Sequence, residues 1–285
     1  MSGLGFIGLG QIGRPMAARL TDWPAGLWVH DVDPSATEPL EQAGAKVAGT
    51  PREVAEQSGH VSVMVRDDAQ VRDVLTGADG VLAGARPGCV IAIHSTIHPD
   101  TAREVADLAA PHDARVLDAP VSGGAVGAQQ GRLAILVGGD ADAYEDSREV
   151  LERMGELVVH VGPIGAGTAA KLARNLLHFV AFTAATEASR LAEAAGIDLV
   201  ALGKVVRHTD AITGGPGAIM WRDTTSPVAA EDGWFAILEH VRQLGEKDLA
   251  LAIELGDRLD VDTPLADLAL ARLAPGLGLT ASETE

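Results

Sequence analysis

The chain has 285 residues, of which 47% are hydrophobic and 22% charged, a balance typical of globular proteins and unlike that of disordered ones. Its 40 acidic and 22 basic residues give a formal charge of −18, which repels phosphate backbones and anionic lipid and argues against a nucleic-acid or membrane-surface partner. The single cysteine, Cys89, excludes an intrachain disulfide framework and fits a reducing cytoplasm, where it reads as a small buried side chain.

In chain order, L-G-F-I-G (4–8) reads as a strand and residues 15–20 as the start of a helix. Further strand-like runs are L-W-V-H-D (27–31), V-S-V-M-V (61–65), V-I-A-I-H (90–94), R-V-L-D-A (115–119), L-A-I-L-V (133–137) and V-V-H-V (158–161). Strands at this spacing with helices between them imply crossover connections and a mainly parallel sheet covered on both faces. After G-P-I-G-A-G (162–167) the pattern changes, and Ala/Leu/Glu/Arg-rich helical segments dominate at 168–195, 198–208, 236–258 and 263–273. The expected organisation is an α/β Rossmann-type domain over 1–163 and an all-helical domain over 164–285, joined by a long helix. No signal segment precedes the first strand-like run, and the apolar run 176–186, interrupted by His178, is too short to span a bilayer. A soluble, cytoplasmic protein is expected, with a frayed polar end at 280–285.

G-L-G-Q-I-G, formed by Gly8, Leu9, Gly10, Gln11, Ile12 and Gly13, follows the first strand and opens a helix, where a dinucleotide fingerprint belongs. Gly8 allows the tight turn, Gly10 lets a pyrophosphate approach the backbone, and Gly13 lets helix and strand pack closely. Asp31 ends the second strand, placed to accept from a ribose 2′-OH and to repel a 2′-phosphate, so NAD is favoured over NADP; the plainer alternative is a turn residue in D-V-D-P. A second cluster, D-A-P-V-S-G-G (118–124), offers the Ser122 hydroxyl and approachable backbone N–H groups at Gly123 and Gly124, which suit a small carboxylate or phosphate. A βα turn with Ser122 as a helix cap accounts for the same residues.

The helix-like stretch G-T-A-A-K-L-A-R-N-L-L-H (167–178) stacks Lys171 and Asn175 on one face, with His178 near it. An ammonium in a dry core costs several kcal/mol, about 2 or more, unless it meets a partner or reactant. His178 reads more readily as a satisfied core histidine than as a ligand.

Taken together, G-L-G-Q-I-G-R-P-M-A, D-A-P-V-S-G-G, G-A-G-T-A-A-K-L-A-R-N and the late E-K-D-L-A-L-A resemble, in order and along essentially the whole chain, the signatures of the β-hydroxyacid dehydrogenase family, the 3-hydroxyisobutyrate dehydrogenase and tartronate semialdehyde reductase group. The resemblance implies an NAD-dependent oxidoreductase acting on a small anionic 3-hydroxy acid or its semialdehyde. It implies that Lys171 is the catalytic acid/base, that Asn175 orients the substrate, and that Ser122, Gly123 and Gly124 hold its carboxylate. It also places Val65, Arg66, Thr96 and Lys247 near the cofactor, and it implies dimers or tetramers interleaved through the helical part. Lys247 and Asp248 read equally as a solvated helix pair. No metal is expected.

The chain departs from the family pattern at Arg66, where Pro is frequent, at Arg174 in R-N for the common N-N, and at His240, where an aromatic is frequent. These positions bear on substrate identity. The Gly-rich stretch 208–224, with Trp221 and Arg222, is a further candidate for selectivity, or a plain connector. An imine reductase on the same scaffold is the runner-up, opposed by Lys171 where that group usually carries Asp or Tyr. A non-catalytic NAD-binding module is the third reading, opposed by Lys171 together with Asn175. Neutral Lys171 acting as a base requires its pKa to fall from ~10.4 through desolvation or a nearby cation. Arg174 is the nearest candidate for that cation, although its place on the helix points it sideways.

Overall fold

A computed structural model describes residues 2–220, 222 and 224–279, so Trp221 and the polar end 280–285 lie outside the described residues. The chain forms two compact units, Met1–Asn175 and Leu176–Glu285.

The first unit runs β1 (Gly3–Ile7), α1 (Gly13–Ala18), β2 (Leu27–His30), α2 (Glu38–Gln42), β3 (Lys46–Val47), α3 (Pro51–Gln57), β4 (Ser58–Val63), α4 (Asp68–Thr76), α5 (Val81–Gly84), β5 (Val90–Ile93) and α6 (Pro99–Ala109). It continues with β6 (Arg115–Asp118), β7 (Val121–Ser122), α7 (Gly124–Gln130), β8 (Leu133–Gly138), α8 (Ala141–Met154) and β9 (Gly155–Gly162), then enters α9 (Ala166–Ala194). The strands form one sheet in the order β3-β2-β1-β4-β5-β6-β8-β7, with β9 pairing β8. The sheet is a Rossmann-like, mostly parallel one: β1 to β6 pair in parallel, and β9 runs parallel to β8.

Alternation along the strands explains why both faces are covered. On β5, Val90 and Ala92 enter one core with Phe6, Val29 and Leu117, whereas Ile91 and Ile93 enter the other with Val61, Val63 and Val116. Each such buried side chain contributes about 1.5–3 kcal/mol. The sheet departs from the parallel expectation at β8, which runs antiparallel to β6 and β7. Between β7 and α7 the backbone passes through Gly123 (φ 131°) and Gly124 (φ 61°), in conformations that side chains with a Cβ rarely take. Sequence patterning missed β7 and β3, two residues each and too short to show a period.

The second unit contains the remainder of α9 with α10 (Leu199–Thr213), α11 (Phe235–Leu259) and α12 (Pro264–Gly276), in keeping with the expected all-helical second part. Glu187 on α9 is buried and accepts from the N–H groups of Leu265 (3.0 Å) and Ala266 (2.9 Å), satisfying two of the donors that open α12.

Candidate active site

The site in the first unit is built from the start of α9. Asp118, fully buried at the end of β6, accepts from Gly165 N–H at 2.8 Å and Thr168 N–H at 2.6 Å, and so caps that helix. The helix lies directly against the sheet because both contact positions are glycine: a Cβ on Gly138 would strike the Asp118 carboxylate, and one on Gly167 would strike the carbonyls of Asp118 and Leu136. Lys171 follows Thr168 by three residues, so its position inherits that rigid origin. The Asp118 cap escaped the sequence reading, although D-A-P-V-S-G-G begins with it.

Lys171 is only 7% exposed, and its Nζ donates to Ser122 Oγ at 2.8 Å. Burial, with a smaller effect from the Arg174 guanidinium, pushes its pKa down to about 8. Ser122 is therefore an acceptor for the lysine. It is not the cap of α7, whose N-cap is Gly123 with no side-chain bond. Asn175, one turn beyond Lys171 and half-buried, accepts from Arg174 Nη1 at 3.3 Å through its Oδ1. Ser122, Gly123 and Arg174 share a cavity of about 430 Å³ with Arg132 and an apolar wall that includes Leu157, Val159 and Val161. Arg174 thus lines the cavity that holds Ser122 as an exposed side chain, beside the buried Lys171.

A second, larger cleft of about 800 Å³ opens where β1 and β4 end, at the point where the strand order reverses. It is lined by Gly8, Gly10, Gln11, Ile12, Gly13, Asp31, Met64, Val65 and Arg66, among others. The glycines divide the work. A Cβ on Gly8 (φ 89°) would meet the Met64 carbonyl, and one on Gly13 would meet the Gly8 carbonyl, so these two serve the fold. A Cβ on Gly10 would meet nothing within 4 Å, so its bareness faces the open cleft and fits close approach by a pyrophosphate. Leu9 is buried in the core, and its N–H donates to Asp31 Oδ2 at 2.6 Å; Asp31 Oδ1 accepts from Asp33 N–H at 2.8 Å. The acid is thereby held at the cleft edge by the loop itself.

Ser95, another residue the sequence reading missed, clamps Val65 by accepting from its N–H (2.9 Å) and donating to its carbonyl (2.7 Å). Arg66 pairs with Asp67 at 3.2 Å and is largely exposed, and Thr96 stands exposed beyond β5. In the second unit, Lys247 pairs with Asp248 at 3.0 Å on the surface of α11, and His240 is exposed. Arg222 donates to the Ser226 carbonyl and braces its own loop. The expectation of a core histidine at 178 is corrected. His178 is half-buried, with its ring 4.2 Å from that of Phe182, because Phe179 and Phe182 crowd one helix face that stays open. Among the described residues no cluster of His, Cys, Asp and Glu suits a metal, and no helix is long and apolar enough to cross a membrane.

Two family models account for the chain: the NAD binding domain of 6-phosphogluconate dehydrogenase over residues 3–162, and the NAD-binding domain of NADP-dependent 3-hydroxyisobutyrate dehydrogenase over 165–276. An uncharacterized oxidoreductase of Mycobacterium tuberculosis is 52% identical over 99% of this chain and 95% of its own length. The 3-hydroxyisobutyrate dehydrogenase of Pseudomonas aeruginosa is 35% identical over 94% of this chain and 90% of its own. Among solved structures, an oxidoreductase from Mycobacterium avium is 49% identical with a TM-score of 0.94, covering 99% of this chain and all of that one. An imine reductase from Myxococcus stipitatus, 24% identical with a TM-score of 0.75 over 96% of this chain and 92% of its own, shares the fold.

Proposed function

The chain belongs to the β-hydroxyacid dehydrogenase family and is an NAD(P)-dependent oxidoreductase, and we propose that it transfers hydride between NAD and the CH–OH group of a small anionic 3-hydroxy acid, or its semialdehyde, with Lys171 as the general acid/base. One observation carries this reading: a buried amine sits at the capped start of α9, 2.8 Å from Ser122 Oγ, with its pKa lowered to about 8.

The chemistry supplied by bound NAD is hydride acceptance. Ser122, Gly123 and Gly124 would hold the substrate carboxylate, the two glycines offering backbone N–H groups that no side chain screens. Asn175 keeps its carbonyl on Arg174, which leaves its NH₂ donors available for the substrate. In oxidation, neutral Lys171 takes the hydroxyl proton onto Nζ; in reduction, its ammonium returns that proton to the developing alkoxide. A pKa near 8 leaves both forms populated close to neutrality, which suits a reversible reaction. Gly8 to Gly13 would cradle the pyrophosphate, with Val65, Arg66 and Thr96 at the same end of the sheet. Asp31 accepts from the ribose 2′-OH and favours NAD over NADP.

In this reading residues 1–163 bind the dinucleotide, and 164–285 supply the substrate helix and the oligomer contacts. A homodimer or homotetramer through the helical part accounts for apolar side chains such as Phe179, Phe182 and Val205, which are half or more exposed. The lone buried thiol of Cys89 suits a cytoplasmic setting. A primary amine at 171, where an imine reductase usually has Asp or Tyr, favours the dehydrogenase over that alternative. The test follows absorbance at 340 nm with NAD, NADP and a panel of 3-hydroxy acids, alongside a cyclic imine with NADPH. We expect turnover with a hydroxy acid and NAD, rising through pH 8 in the oxidative direction as Lys171 loses its proton. Turnover of the imine alone would reverse the assignment.

A further inference from the structure

Arg174 lines the cavity that also holds Ser122 and Gly123, next to rather than around Lys171, and the reaction above leaves its charge without a ligand. Arg132, in the same cavity, is held by Glu156 at 2.7 Å. Arg174 makes a single side-chain bond, to Asn175 Oδ1, and has no carboxylate partner among the described residues. That is notable in a chain where 40 acids face 22 bases. One N–H of its fork is thus committed and the others are available, in the geometry that matches a carboxylate.

Two further features point the same way. The lining holds no Asp or Glu among the described residues: its wall is apolar, formed by Leu157, Val159 and Val161 on β9, and like Arg174 it is open to water, so nothing in it repels an incoming anion. The cavity measures about 430 Å³, whereas a four-carbon monoacid of about seven non-hydrogen atoms, at a water-like ~30 Å³ each, fills roughly half of it. Space and charge are both left over on the side where Arg174 lies.

We propose that Arg174 binds a second carboxylate of the substrate, so that the preferred substrate is a dicarboxylic 3-hydroxy acid: one carboxylate on Ser122–Gly124, the other on Arg174. This rests on the reading of Ser122–Gly124 as the first carboxylate site. Arg174 here is a specificity residue, and the proton transfer stays with Lys171.

The experiment compares succinate with succinamate, which share a shape and differ by one charge, by calorimetric titration into the NADH-saturated enzyme. We expect wild type to bind succinate at least tenfold more tightly than succinamate, Arg174→Asn to bind the two alike, and Arg174→Lys to keep part of the preference. Equal binding by wild type, undetectable binding of succinate, or a preference that survives in Arg174→Asn would overturn the proposal. If Arg174→Asn does not fold, the wild-type ratio and the Arg174→Lys ratio decide. Turnover of 2-(hydroxymethyl)succinate against 3-hydroxyisobutyrate is scored separately. Oxidation of both without a charge preference removes the second anion site and leaves the dehydrogenase, whereas a charge preference in binding with no hydroxy acid oxidised does the reverse.

Discussion

The two units differ in how they bury themselves. Met1–Asn175 holds two cores, one on each face of the sheet, with residues such as Phe6, Val29, Ile91, Leu117 and Ile135 fully enclosed. In Leu176–Glu285 the core among the described residues is a small one of Val228, Leu238, Leu277 and Leu279, while Leu176, Phe179, Phe182, Val200 and Ile212 on its helices are more than half exposed. A sheet sandwiched between helices finishes its own interior, because each strand has a partner on both faces. Helices that keep an apolar face uncovered are finished by another surface. The α/β unit encloses its own interior, whereas the helical unit leaves much of its apolar surface open.

The sharpest way to break that contrast is at Lys171. If the chemistry resides in the first unit, Lys171→Ala lowers kcat by roughly 10²–10⁴ while NAD affinity, read by fluorescence titration, stays close to wild type. A variant with comparable kcat would remove the role. Asp118→Ala comes next: it leaves the Gly165 and Thr168 N–H groups without their acceptor in a buried place. We expect a loss of about 2–5 kcal/mol, seen in thermal melts as a Tm drop on the order of 5–15 °C.

Acid probes the same interior. His60 Nε2 and His94 Nε2 both approach Ser62 Oγ, at 3.4 and 3.1 Å, and His94 Nδ1 donates to the Ala119 carbonyl at 2.8 Å. Burial lowers the pKa of His60 to about 3, helped by neighbouring His94, and that of His94 to about 4. The unfolded chain takes up these protons near pH ~6.5 and the folded chain does not, so the histidine contribution is complete above pH ~6.5 and is lost as pH falls toward 4. Melting temperature is expected to fall from pH 7 to pH 4.5, and to fall less in His60→Leu. The smallest effect tests the second unit: Phe182→Glu should raise the subunit dissociation constant about tenfold, measured by analytical ultracentrifugation, with the secondary structure of the first unit unchanged. An unaltered mass distribution in both proteins would show that the open aromatic face serves another purpose.

Much of this was legible in the linear chain, for a physical reason. Periodic burial marked β1, β2, β4, β5, β6, β8 and β9 and the four long helices; glycines that permit close approach marked the Gly8–Gly13 turn; and the helical repeat stacked Lys171 over Asn175. All of these depend on residues a few positions apart. Tertiary structure alone decided that Asp118 caps a helix 47 to 50 residues downstream and that Lys171 meets Ser122, 49 residues upstream. It alone also decided that Arg174 lines the cavity of Ser122 and that Ser95 clamps Val65 across two strands. Single side-chain bonds between distant segments leave no period in a sequence, because they are chosen by where the folded backbone brings the two ends.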